Sequence, residues 1–288
     1  MEALARRGTP SGGGAEQRAA SYAELHQRLG RALAGKLRLA IGASRFAPDG
    51  RLTSLDDALV PGVDASLLDA LARDSCAAGL RQPASPTALA VNSFLNWRAT
   101  PGLLDLAGLK GFRELHFCAR CPTGVRGTPP LLDVVALGDQ GVVAVAARTV
   151  EYLAEPGGRL APAYAGLKLG DGLSAWNALL DDGGTRFKRV DAPALVKKAI
   201  GLANTFPERR VRLLYLYLEP EGAAALAPFA AHRAELAELA LRTSGSAVGL
   251  HAQSFGELWD GWSALGEPPW LREIAARLRA RYAVAAAG

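Results

Sequence analysis

No stretch of this 288-residue chain is apolar for long enough to cross a bilayer, although 49% of its residues are hydrophobic. A membrane partner is therefore not expected, and the length allows one large domain with a sizeable core. Cysteine is scarce too: Cys76, Cys118 and Cys121 make an odd number, and no secretory apolar segment stands near the start. That combination leads to the expectation of reduced thiols in a cytoplasm, without a disulfide framework. Also lacking are a nucleotide-binding P-loop, a glycine-rich dinucleotide fingerprint, a nucleophile elbow and any repeat or coiled-coil period, which sets aside the enzyme classes built on them. Acidic residues do not dominate. Lys and Arg number 33 against 28 Asp and Glu, a net charge of +5, which is compatible with a polyanionic partner.

What is present divides into three stretches. Residues 1–19 carry Gly8, Ser11, Gly12, Gly13 and Gly14 with almost no large apolar side chains, so they read as a disordered tail that cannot offset its ordering entropy. Residues 20–84 read as a helical flank, with helices near 21–33 and 66–78. The second is inferred from Leu67, Leu68, Leu71 and Ala72 at helical spacing. Residues 85–288 read as an α/β domain. Ser85 and Pro86 cap and open a helix running toward Arg98. From Glu114 the period becomes two, with Leu115, Phe117 and Ala119 on one face and His116, Cys118 and Arg120 on the other. Strands at 131–137 and 142–148 are joined by Gly138-Asp139-Gln140-Gly141, a hairpin signal. Helices follow near 174–180 and 192–206, then a buried strand at 211–218, a helix at 228–242, a short strand at 247–252, and C-terminal helices at 255–265 and 270–282.

This order of elements, together with the run Arg120-Cys121-Pro122-Thr123-Gly124-Val125-Arg126-Gly127-Thr128-Pro129-Pro130-Leu131-Leu132-Asp133, resembles the PD-(D/E)XK phosphodiesterases, and among them bacterial restriction-endonuclease-like proteins. Supporting stretches are Asn92 to Arg98, Thr149-Val150-Glu151-Tyr152-Leu153, Asp191 to Leu202 and the strand holding Tyr215. The resemblance implies an αβββαβ core, a mixed central sheet flanked by helices, with extra N- and C-terminal helices here. It also implies an aspartate on the second core strand and a glutamate-x-lysine on the third, which hold Mg2+ against the scissile phosphate and activate water. The aspartate falls on Asp133. The glutamate position is Ala146 and the lysine position Arg148, while Cys118 stands where a further carboxylate is often found. Alanine cannot ligate a cation, and a permanently protonated guanidinium is a poor proton-transfer group. Glu151, just beyond the strand, offers a displaced carboxylate that would join Asp133 as a metal ligand. Arg148 would alternatively pair with Asp133 or contact a phosphate.

Three functional expectations follow. The first is a catalytically impaired restriction-endonuclease-like protein that retains DNA binding. The second is an active Mg2+-dependent endonuclease using Asp133, Glu151 and Arg148, and the third is a protein-interaction module on the same scaffold. Nucleic-acid contacts are expected at Arg126, Lys188, Arg189, Lys197 and Lys198, with Arg186, Arg209, Arg210 and Arg212 as further basic groups. The alternative for such charges is an ordinary solvated surface. His116, Cys118 and Cys121 spell H-x-C-x-x-C, but a structural zinc wants four ligands and no fourth lies nearby, so buried cysteines are the default. Trp259, Trp262 and Trp270 either stack bases or pack; packing is the expectation.

Overall fold

Three strands separated by short connections form an antiparallel meander, and two strands separated from it by helices join in parallel. In the computed structural model, described over residues 13–67, 76–154, 158–181 and 186–286, the meander is β1 (Phe112–Arg120), β2 (Leu131–Gly138) and β3 (Gly141–Arg148). The two parallel additions are β4 (Val211–Tyr217) and β5 (Val248–Ser254). The sheet order is β1-β2-β3-β4-β5, with β3/β4 and β4/β5 parallel. Every residue of β3 except Arg148 is buried, as its near-continuous Val/Ala run requires of a central strand. The β2–β3 hairpin turns on Gly141, whose φ of +149° and 2.5 Å approach of a built Cβ to the Arg210 carbonyl oxygen leave room for glycine alone.

The helices are α1 (Gly13–Ile41), α2 (Cys76–Leu80), α3 (Pro86–Phe94), α4 (Ser174–Asp181), α5 (Ala192–Thr205), α6 (Ala227–Arg242), α7 (Phe255–Ala264) and α8 (Trp270–Tyr282). Ser85 caps α3 by accepting the Ala88 N–H at 3.3 Å, with Pro86 in the first turn. Asp191 caps α5 in the same way. Helix α3 packs on β2 and β3, α5 on β4 and α6 on β5, so the mixed sheet is flanked by helices. Among the described residues no helix is long and apolar enough to cross a membrane.

The N-terminal region departs from its sequence-based reading. Helix α1 begins at Gly13, within the stretch expected as tail, and continues past residue 33 to Ile41. Gly30 and Gly35 weaken a helix read locally, but Leu25, Leu29, Leu33 and Leu37 are buried along one stripe, and packing carries the helix through them. Of the helix expected at 66–78, residues 68–75 lie outside the described residues; Ala65–Leu67 is a 3-10 turn and Cys76 onward is α2. The leucines of the stretch 20–84 belong to the same hydrophobic cluster as the sheet, so this flank docks on the core.

One buried amide joins these parts. Asn92 on α3 accepts the Val60 N–H at 2.6 Å, and its two amide protons are shared among the Ala58 carbonyl, the Ala88 carbonyl and the Tyr282 hydroxyl. Truncation would strand a buried N–H and a buried carbonyl, so Asn92→Ala is expected to cost about 2 kcal/mol in urea denaturation. A loss below about 0.5 kcal/mol would mean that water replaces the amide.

Candidate functional site

The β2–β3 ladder runs from Gly138↔Gly141 to Val134↔Val145. One step further, the Asp133 side chain takes over from the backbone: Oδ2 accepts the Ala147 N–H at 2.8 Å and Oδ1 accepts the Thr87 hydroxyl of α3 at 3.0 Å. The residue is 5% exposed. Lys198 reaches the same corner from α5, and its ammonium donates to the Leu131 carbonyl. Burial, then the neighbouring Arg148, push the Lys198 pKa down to about 8 against the pull of Asp133, Cys121 and Asp191. Arg148 ends β3, donates to the Ala147 carbonyl at 2.8 Å and lies 5.8 Å from the centre of the Tyr215 ring. Burial opposes its charge, but Tyr215, Asp133, Glu151 and Asp191 outweigh that and raise its pKa.

Beside these groups is a cavity of about 240 Å3 lined by Arg148, Lys197, Lys198 and Asp191 and walled by Pro130 and Gly158. It sits where β3 ends and α5 begins, at the carboxyl end of parallel strands, the usual place for a ligand in an open α/β sheet. Among the described residues of its lining, three cations face one carboxylate. Asp191 uses Oδ1 to accept the Ala194 N–H at 3.0 Å.

The expected metal ligands do not fit a divalent cation. Ala146 presents a fully buried methyl group. Glu151 turns one oxygen to its own backbone, accepting the Thr149 N–H at 2.7 Å and the Val150 N–H at 3.1 Å, and the other lies 3.0 Å from the Thr149 hydroxyl, which also faces the Ala84 carbonyl at 2.6 Å. Asp133 is held by Thr87 and Ala147, with Lys198 and Arg148 adding positive charge nearby. A hard cation needs several oxygen ligands and a negative surrounding field, and among the described residues no three Asp, Glu, His or Cys side chains gather into such a group. Nor does Arg148 make the expected ion pair with Asp133, whose oxygens go to the donors named above.

The basic residues separate into two groups. Lys197 and Lys198 meet Arg148 at the cavity. Lys188 and Arg189 lie elsewhere: their backbone N–H groups donate to the Glu235 carboxylate at 3.0 and 2.7 Å, and the Arg189 guanidinium stands 4.1 Å from the Tyr22 ring centre. Arg126 is exposed on the loop between β1 and β2. Arg209 and Arg212 donate to the Gly138 and Ala107 carbonyls, and Arg186 pairs with Glu238 at 2.7 Å. Trp259 and Trp262 are buried, and Trp97 holds Trp262 and Trp270 at centroid distances of 5.5 and 5.0 Å. All three tryptophans therefore pack, as their place near helix junctions led one to expect.

The cysteines correct the reduced-thiol reading. Cys76 of α2 and Cys118 of β1 form a disulfide, their Cα atoms 5.7 Å apart, while Cys121 is free and buried. Cys118 has φ +51°, which breaks the strand alternation and turns its side chain inward, whereas His116 stays exposed and meets Glu114 at 2.9 Å. The H-x-C-x-x-C residues thus point to three different environments. Their spacing carries no trace of Cys76, 42 residues away.

Sequence reasoning also missed Thr87 and His232. His232 is fully buried on α6, with Nε2 3.2 Å from the Tyr215 hydroxyl and its ring stacked on Tyr152 at 4.1 Å. It thereby backs the ring against which Arg148 lies. Nothing local marks a lone histidine in a helix for such a place. Comparison of the chain with known protein families, with curated proteins and with solved structures finds no match.

Proposed function

We propose that this chain is a restriction-endonuclease-like protein that binds DNA through its phosphates and does not hydrolyse them. The order α3-β1-β2-β3-α4-α5-β4, with Asp133 on the second strand and α5 packed on β4, supports the αβββαβ core of that family, α4 being an addition to it. The observation that carries the loss of hydrolysis is the surroundings of Asp133: a carboxylate whose two oxygens each accept one bond, from the Thr87 hydroxyl and the Ala147 N–H, with a methyl group at Ala146 and cations at Arg148 and Lys198. Hydrolysis in this family needs a metal-bound or base-activated water, and a guanidinium that stays protonated supplies neither. Binding needs only positive charge aimed at phosphate oxygens.

The test is incubation of the protein with supercoiled and linear DNA, with and without magnesium or manganese, beside an Asp133→Ala control. Retention of DNA that weakens steeply with salt, with no nicking, is the expected result. Metal-dependent nicking abolished by Asp133→Ala would return the protein to the active nucleases. Failure to retain DNA even at low salt would leave an interaction scaffold.

A further inference from the structure

We propose that the cavity between the end of β3 and the start of α5 is a metal-independent phosphate site, in which Arg148, Lys197 and Lys198 supply the charge that a divalent cation would otherwise bring. The proposal rests on the DNA-binding reading only for the source of the phosphate.

The donors are placed and largely uncommitted. An ammonium has three protons and a guanidinium five. Lys198 gives one to the Leu131 carbonyl, and Arg148 gives one to the Ala147 carbonyl. The ammonium of half-buried Lys197 stands over the Tyr164 ring, 5.6 Å from its centre, on the lining of the cavity. Asp191, the one acidic group among the described residues of the lining, has one oxygen turned to its helix cap. Gly158 opposite is bare: a Cβ there would come within 2.7 Å of Asp191 Oδ1, so the wall cannot carry a side chain without crowding the cap.

Two cations packed against each other away from water are costly unless an anion offsets their repulsion. Lys198 is 7% exposed, and its depressed pKa records that burial and the Arg148 charge. The carboxylates of Asp133 and Asp191 offset part of that repulsion, and a phosphate group, which has several oxygens and accepts two parallel N–H bonds from a guanidinium, would offset more of it. A divalent cation would meet three like charges.

Isothermal titration with inorganic phosphate, in the presence of EDTA, reads the site directly. The expected result is one saturable event, weakened about tenfold or more by Lys198→Met and by Lys197→Gln, and weakened less by Arg148→Lys, which keeps the charge but loses the paired N–H donors. Lys197 is only half-buried, so Lys197→Gln keeps the test valid if Lys198→Met fails to fold. No saturable binding, equal binding by all variants, or binding only when magnesium is added would overturn the site. Fluorescence anisotropy with a DNA duplex then separates the sources. Weaker duplex binding by the same variants assigns a backbone phosphate. Phosphate binding without any duplex binding keeps the site and removes the DNA reading, while duplex binding without phosphate binding does the reverse. Wild-type duplex affinity in variants that have lost phosphate assigns a free phosphate or phosphomonoester in place of the backbone.

Discussion

Acidification to pH 3 is expected to destabilise this fold by about 4 kcal/mol through His232 alone. Burial, and then the charges of Arg233, Arg148 and Arg189, push its pKa down from 6.5 to about 3. In the unfolded chain the imidazole takes up a proton near pH 6.5, whereas in the folded chain it does so only near 3. Between those values the unfolded state binds more protons, so stability is full above pH 6.5 and falls as the pH drops. The surroundings offer no relief: Tyr215 and Tyr217 approach from β4, Tyr152 stacks on the ring, and Nδ1 is buried without a partner.

Urea denaturation of the wild type and His232→Phe across pH tests this. Carboxylates titrate below about 4.5, so the informative window is pH 6.5 to 4.5, where the wild type should lose roughly 2 kcal/mol more than the variant. Phenylalanine keeps the stacking but leaves the Tyr215 hydroxyl without its nitrogen partner, so the variant starts lower, by about 1 kcal/mol at neutral pH. Parallel stability curves for the two proteins would show that His232 does not sense acid.

Gly201→Ala is expected to cost about 3 kcal/mol or more, although alanine favours a helix interior by about 1 kcal/mol. Gly201 lies within α5 at the point where the helix crosses the segment after β1. A Cβ there would overlap the Cys121 carbonyl oxygen and lie 3.0 Å from its carbonyl carbon and 3.1 Å from the Cys121 Cβ. Those atoms are backbone or are held by it, so no rotamer change clears the space. The helix itself would have to move, carrying Lys197 and Lys198 away from Arg148. The measurement is thermal or urea unfolding together with phosphate titration of the variant. A stability within about 0.5 kcal/mol of wild type would show that α5 can shift freely.

Much of the architecture was readable before any coordinates, because the signals are local. The Ser85-Pro86 start, the Asp191 cap and the Gly138 to Gly141 turn each act within a few residues, and the apolar Val/Ala run of β3 marks a strand buried on both faces. Less of the site was readable. Asp133, Arg148 and Lys198 could be singled out, but not that Asp133 would be tied to Thr87 and Ala147, nor that Glu151 would cap its own turn. Arg189 and Lys198 look alike as basic residues near α5, yet one meets the Tyr22 ring and the other a cavity.

The resemblance to a nuclease, and with it the reading of Ala146 and Arg148 as departures from the expected motif, rests on the chain alone. Tertiary structure decided what surrounds those positions. Lys198 meets the Leu131 carbonyl across 67 residues, Cys76 meets Cys118 across 42, and His232 supports Tyr215 from another helix. Such pairings depend on how helices dock on the sheet, and docking is set by shape and by the solvent excluded over the whole core, which no short window of sequence contains.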